Sequence, residues 1–138
     1  MPNSDNRLTA RQAGGHSFEI LPSAARTATV TSIEFENIAN RGLMLLIDVT
    51  AAAAGPPSVV ASIRAYDYLT AKNFPVATFT AFTAVGQYVK MLYPAAVKTI
   101  AEANLEIQGL PFPAIYVVRL AHADTVSMTY SVTGHTLN

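Results

Sequence analysis

The pattern of apolar and polar residues changes near residue 26. Beyond it, apolar residues recur mostly with a period of two, which is typical of β-strands. Each predicted strand is rich in β-branched and aromatic residues and is bounded by turn-forming residues. The predicted strands are residues 26–35, 42–50, 58–67, 74–82, 87–94, 114–122 and 126–134.

Two of these segments carry a more specific pattern. Residues 42–50, with the sequence GLMLLIDVT, form a continuous apolar run, as expected for a strand that is covered on both faces. Residues 126–134 alternate between apolar and polar side chains, which predicts a half-buried antiparallel strand. The short turn ADT before them predicts a hairpin with residues 114–122.

Residues 95–111 are the one helix-like stretch, because alanine gives them helix propensity while their apolar residues are only partly periodic. They predict a short helix or a long loop. Short strands joined by turns indicate an all-β protein, an antiparallel β-sandwich with either a jelly-roll or an immunoglobulin-like arrangement. We place this sandwich domain in residues 27–138.

Residues 1–26 are polar and interrupted by Gly14, Gly15 and Pro22, so they cannot bury enough surface to fold alone. They predict an extended N-terminal arm. Phe18, Ile20 and Leu21 are unsuited to a solvated tail, so we expect them to be partner-binding anchors on a neighbouring subunit. The alternative is a disordered terminus.

Charge separates this chain from an average soluble domain. Its 138 residues suit one domain; only 13% are charged, 51% are hydrophobic and the net charge is zero. An average domain has roughly 25% charged residues. A weakly charged, neutral surface resists association poorly, so we expect the protein to lie against neighbours. The alternative is a neutral surface of alanine and threonine that is not adhesive.

Composition also argues against several classes of function. There is no basic stripe for nucleic acid and no cysteine for disulfide or thiolate chemistry. The most apolar run is short and contains Asp48, so we expect no membrane span. The first residues lack the apolar core of a signal peptide, and we therefore expect a soluble protein without a cleaved signal.

Residues 119–135 concentrate the polar side chains that suggest chemistry. In the predicted hairpin, His122 and Asp124 lie at the turn and His135 at the far end of the last strand. The two histidines then cannot share a metal ion, and zinc needs three or four ligands. We expect no metal site and interpret the stretch as structural.

Other catalytic patterns are equally weak. Ser58, Ser127 and Ser131 follow plain strand alternation, and there is no G-x-S-x-G motif. Asp48 and Asp67 end up close only if their strands are neighbours, and such aspartates more often bond a turn or an arginine. We expect no catalytic residue and no cofactor, and hence a protein that is not an enzyme.

Aromatic residues cluster in the middle of the chain. Most are expected in the core, with a ligand-binding platform as the alternative. They are Tyr66, Tyr68, Phe74, Phe79 and Phe82.

The order of several segments resembles a group of small structural proteins of tailed bacteriophages. The segments are ARTATVTS, RGLMLLIDVTA with PSVVASIRAYD, YVKMLYP, and YVVRLAHADTVSMTYSV, between residues 25 and 132. In that group an arginine-glycine pair opens an apolar strand, a P-S step leads into the next, and a histidine-containing segment closes the domain.

The resemblance implies a virion component, most simply a capsid decoration (cement) protein on the capsid surface. Its partners would be the major capsid protein and neighbouring copies of itself, as a homo-oligomer, with no nucleic acid or membrane. We expect deletion of residues 1–21 to leave a folded domain that no longer binds capsids. The alternatives are a tail, neck or baseplate protein, or a carbohydrate-binding sandwich using Tyr66, Tyr68 and Tyr93, although the chain has no tryptophan.

Overall fold

The computed structural model describes residues 17–138, and this part of the chain contains strands and no helix. The strands are β1 (Ser17–Arg26), β2 (Val30–Thr31), β3 (Phe35–Glu36), β4 (Gly42–Ala52), β5 (Val59–Asp67), β6 (Lys72–Thr78), β7 (Gly86–Leu92), β8 (Leu105–Gln108), β9 (Ile115–His122) and β10 (Met128–Leu137).

The strands form two sheets that pack face to face. Sheet A has the order β1-β10-β4-β7-β8; sheet B has the order β2-β9-β5-β6, with β3 also paired to β9. Without β3 and β8, each sheet has four strands, and the chain repeatedly crosses between the sheets, as in a jelly roll. The all-β sandwich predicted from the sequence is confirmed, and of its two arrangements the strand order is that of the jelly roll.

The core lies between the sheets and is filled by alternate residues of each strand. In β10 the predicted alternation is confirmed: Met128, Tyr130 and Val132 are fully buried, while the residues between them are only half-buried. This strand lies between β1 and β4, so both of its edges are hydrogen-bonded.

The predicted hairpin of the last two strands is wrong. β9 pairs with β5 in sheet B, whereas β10 pairs with β1 and β4 in sheet A. Residues 123–127 therefore cross from one sheet to the other. The turn residues reverse the chain in either case, and which sheet each strand joins depends on its long-range pairing, which the local pattern does not reveal.

Residues 95–111 contain no helix; their regular part is β8, which pairs parallel to β7 and is an exception to the antiparallel pattern. Glu106 holds β8 to the rest of the sandwich. Its carboxylate accepts hydrogen bonds from the Thr80 backbone at 2.8 Å and from the buried Lys90 ammonium at 3.1 Å. Alanine propensity gave the helix-like pattern, and these long-range bonds override it.

The sandwich includes residues 17–26, whereas the sequence placed its start at residue 27. Residues 17–26, predicted as part of the arm, form β1 at the edge of sheet A. An irregularity in the β1–β10 pairing between Glu19 and Leu21 lets two consecutive residues, Ile20 and Leu21, face the core. Because the bulge breaks strict alternation, the period-two pattern did not identify this strand. The rest of the predicted arm lies outside the described residues.

Candidate interaction surfaces

His122 and Asp124 lie where the chain crosses between the sheets. The Nε2 atom of His122 is 2.8 Å from the hydroxyl oxygen of Tyr130, so a side chain of sheet B is bonded to one of sheet A. Asp124 accepts a hydrogen bond from the backbone of Val126 at 3.0 Å, which fixes the turn. The guanidinium of Arg26 lies 4.6 Å from the centre of the Tyr130 ring. The cluster joins the two layers of the sandwich.

Burial changes the proton affinity of both bonded side chains. It lowers the pKa of His122, and the positive charge of Arg26 acts in the same direction against the opposing effect of Asp124. Burial also raises the pKa of Tyr130 to about 12, with Arg26 opposing. The Nδ1 atom of His122 is buried without a hydrogen-bond partner, so a proton there would be unsatisfied. The pair is therefore neutral at pH 7.

The other acidic and histidine candidates are dispersed. Asp48 is exposed on sheet A, while Asp67 ends β5 in sheet B and accepts hydrogen bonds from the Leu69 backbone and the Thr70 hydroxyl. His135 lies opposite Met44 in sheet A, five residues beyond Tyr130 in β10, or roughly 16 Å along the strand. Within residues 17–138, no three His, Cys, Asp or Glu side chains are grouped so that they could hold a metal ion.

The predicted anchors of the arm pack inside the chain itself. Ile20 and Leu21 are each 7% exposed in the core, and the ring of Phe18 lies 5.2 Å from that of Phe35 in sheet B. Gly134 makes room for them, because a methyl group there would lie 2.7 Å from the Phe18 ring. A role for these residues in binding a partner stays a prediction, and it requires β1 to leave sheet A.

The aromatic candidates separate into core and surface. Phe79 and Phe82 are buried in the core. Tyr66 and Tyr68 make an edge-to-face contact with ring centres 5.1 Å apart. Tyr93 is apart from them, since its hydroxyl donates to the Asn138 carbonyl and its ring contacts Arg41.

Sheet A has an apolar side that faces away from the core, which we call the outer face. It consists of outward-pointing residues that form two rows across three strands, and all of them are half-buried. Within residues 17–138 every strand belongs to one of the two sheets, so no strand covers this side. By the pairing register, the outer face comprises Met44 and Leu46 of β4, Val89 and Met91 of β7, and Leu105 and Ile107 of β8.

The outer face was only partly predictable. The apolar run of residues 42–50 predicts a strand covered on both faces, and in the structure Leu43, Leu45 and Ile47 fill the core while Met44 and Leu46 point outward. The contributions of β7 and β8 depend on the register between strands, which periodicity does not reveal.

A second apolar surface lies at one end of the sandwich, which we call the loop end. It is formed by residues 37–41, 68–71 and 109–114, which join strands at the end where β4 begins and β5 finishes. Ser17, the first described residue, also lies at this end, because it pairs with His135. The exposed apolar residues there are Ile38, Tyr68 (63% exposed), Leu69 (96%) and Leu110.

An open groove of about 420 Å³ lies beside β8. Its polar lining includes the Lys90–Glu106 ion pair, in which both side chains are already bonded to each other and to residue 80. The pair acts as a tie between the edge of sheet A and the segment after β6.

Comparison with known proteins identifies no family. No family model matches the chain, and no curated protein matches it. A chain in a structure of infectious bursal disease virus, Gx strain, is similar over 89% of this chain and 32% of its own length, with 11% identity and a TM-score of 0.42. That score is too low to bear on the function of this chain. No helix among the described residues is long and apolar enough to span a membrane.

Proposed function

We propose that this chain is a non-enzymatic virion structural protein, a capsid decoration protein that binds the lattice of the major capsid protein and stabilises the head. The resemblance of residues 25–132 to structural proteins of tailed phages supports this proposal. The jelly roll by itself does not, because this fold serves viral capsid proteins, lectins and cupins alike.

The observation that carries the proposal is the loop end. Leu69 is 96% exposed at the β5–β6 turn, beside the exposed Tyr68, and Ile38 and Leu110 lie on loops at the same end of the sandwich. Several exposed apolar side chains at one end of a monomer are typical of a binding surface. Ser17, the first described residue, also lies at this end, because it pairs with His135.

Binding to a repeating lattice requires only a small binding free energy from each contact. Burial of a leucine side chain such as Leu69 contributes about 1.5–3 kcal/mol. A bivalent or higher oligomer on a regular lattice strengthens such contacts by avidity. A small apolar surface therefore suffices for a decoration protein, and no chemical step is needed.

The test is binding of the purified chain to undecorated heads of the phage that encodes it. We expect Leu69→Asp to weaken binding at least tenfold, because a carboxylate would be buried against the shell. Ile33→Asp is the matched control, since Ile33 is 72% exposed but lies between β2 and β3, away from the loop end. Equal binding by both variants and the wild type would contradict the role of the loop end.

Immunogold labelling of intact virions separates the remaining alternatives. Label over the whole shell supports decoration, whereas label on the tail, neck or baseplate favours the alternative structural role. Absence of label from virions, together with saturable glycan binding that Tyr68→Ala abolishes, would replace the proposal with a carbohydrate-binding function.

A further inference from the structure

We infer that the outer face of sheet A packs against the same face of a second copy of this chain, in an antiparallel, twofold arrangement. The inference concerns a surface other than the loop end, and it holds whether or not the protein decorates a capsid.

The composition of the outer face differs from that of a solvated sheet surface. Antiparallel sheets with one wet side place polar residues on that side. The strands β4, β7 and β8 instead place methionine, leucine, valine and isoleucine there. The inner side of the same strands is covered by sheet B, whereas within residues 17–138 no strand covers this second apolar side.

The size of sheet A matches that of a dimer interface. Given the spacing of strands and the rise per residue, the whole side of a five-stranded sheet like this one covers about 500 Å². Two such sides in contact bury about 1,000 Å², which is the lower bound for a specific interface. Stacked sheets pack about 10 Å apart with their strands nearly aligned. A second copy of sheet A would therefore cover the apolar residues of β4, β7 and β8 and leave the polar residues of β1 and β10 at the margin of the interface.

The polar residues beside the outer face determine the orientation. His135 lies in the same row as Met44, whereas Asp48 lies four residues further along β4, roughly 13 Å away. A parallel stacking centred on β4 would bring the two Asp48 carboxylates together. An antiparallel stacking brings each Asp48 next to the partner's His135, where the imidazole can donate a hydrogen bond to the carboxylate.

In this arrangement, a charged side chain without a partner of opposite charge is tolerated only at the periphery of the interface. Glu19 also points outward, but it belongs to the edge strand β1 and is exposed, so solvent screens it. The centre of the interface, around Leu46 and Val89, carries no charge.

The experiment is sedimentation velocity of the purified full-length chain over a wide range of concentration. We expect the wild type to reach twice the chain mass, and Leu46→Lys to stay monomeric at concentrations at least tenfold higher. Thr78→Lys is the control, because Thr78 is an exposed strand residue of sheet B, and it should dimerise like the wild type. Val89→Lys is the second variant should Leu46→Lys not fold, as judged by circular dichroism.

Orientation is tested with an exchange of charges. His135→Asp should weaken the dimer at least tenfold, and the double variant Asp48→His/His135→Asp should restore it. A wild type that is monomeric throughout, or an oligomer that both lysine variants leave unchanged, overturns the inference. Loss of head binding by Leu46→Lys with a monomeric wild type would assign the face to the capsid instead, and failure of the double variant would exclude the antiparallel arrangement.

Discussion

Packing explains why a glycine, Gly42, follows Arg41 in the arginine-glycine pair of the sequence. It begins β4, and a methyl group on it would lie 2.5 Å from the carbonyl oxygen of Leu92 and 2.6 Å from the ring of Tyr93. Arg41, just before it, lies over the same ring at 5.2 Å. The arginine-glycine pair that carries part of the phage resemblance therefore clamps the start of β4 to the end of β7.

We expect Gly42→Ala to lower the free energy of unfolding by about 1–3 kcal/mol, because the backbone of β7 must shift to admit the methyl group. Gly86→Ala is the matched control: its added methyl would meet only ordinary contacts, at 3.5 Å or more from Tyr88. Urea denaturation followed by far-UV circular dichroism measures both. Equal effects of the two substitutions would show that the Leu92 carbonyl imposes no constraint.

His122 gives the stability a dependence on pH. Its folded-state pKa is lowered from 6.5, mainly by burial, so the unfolded chain binds the proton more tightly than the folded one. The contribution of the neutral His122 to the free energy of unfolding should therefore be present at pH 7. It should be lost as the pH decreases through 6.5 toward the lowered pKa of the folded state. His122→Gln keeps a hydrogen-bonding group near Tyr130 but does not titrate. We expect its unfolding free energy to change less between pH 7.5 and 5.5 than that of the wild type; parallel pH curves would contradict this.

At the scale of elements, periodicity identified strands well and their partners poorly. The alternation of β10 and the apolar run of β4 were sufficient to place residues such as Tyr130 and Leu45 in the core. Pairing depends on long-range contacts, and so the cross-sheet connection at Ala123 was taken for a hairpin. The same limitation hid the outer face, because it exists only once β7 and β8 are in register with β4.

The position of β1 changes what a truncation should do. Deletion of residues 1–16 leaves β1 intact, and we expect no change in stability. Deletion of residues 1–21 removes Phe18, Ile20 and Leu21, and we now expect it to cost at least about 3 kcal/mol, because two of these side chains are buried in the core. Thermal unfolding of the two truncated chains measures this. Only the shorter deletion can therefore test the arm by head binding, and an unchanged melting temperature after the longer one would show that β1 is dispensable.

At the scale of the whole molecule, the low content of charged residues is consistent with the two apolar surfaces. A chain with 13% charged residues cannot place a charge at every exposed position, and the outer face and the loop end are two of the places where its apolar residues lie outside the core. The composition predicted contact with other molecules. It could not predict which surface makes that contact, because each apolar surface depends on which strands pair with one another. The fold class, in contrast, could be predicted from the sequence, because strand periodicity is a local property of the chain.

The strand order has a further consequence for biosynthesis. β10 occupies the gap between β1 and β4, yet the ribosome makes it after all the other described strands. Until it emerges, β1 and β4 each present a long row of unsatisfied amide and carbonyl groups, which is the condition that promotes misassembly of nascent chains. Such sequence-distant pairing also slows folding. The sandwich should therefore complete its folding only after β10 has been made, and its escape from aggregation should depend on that strand.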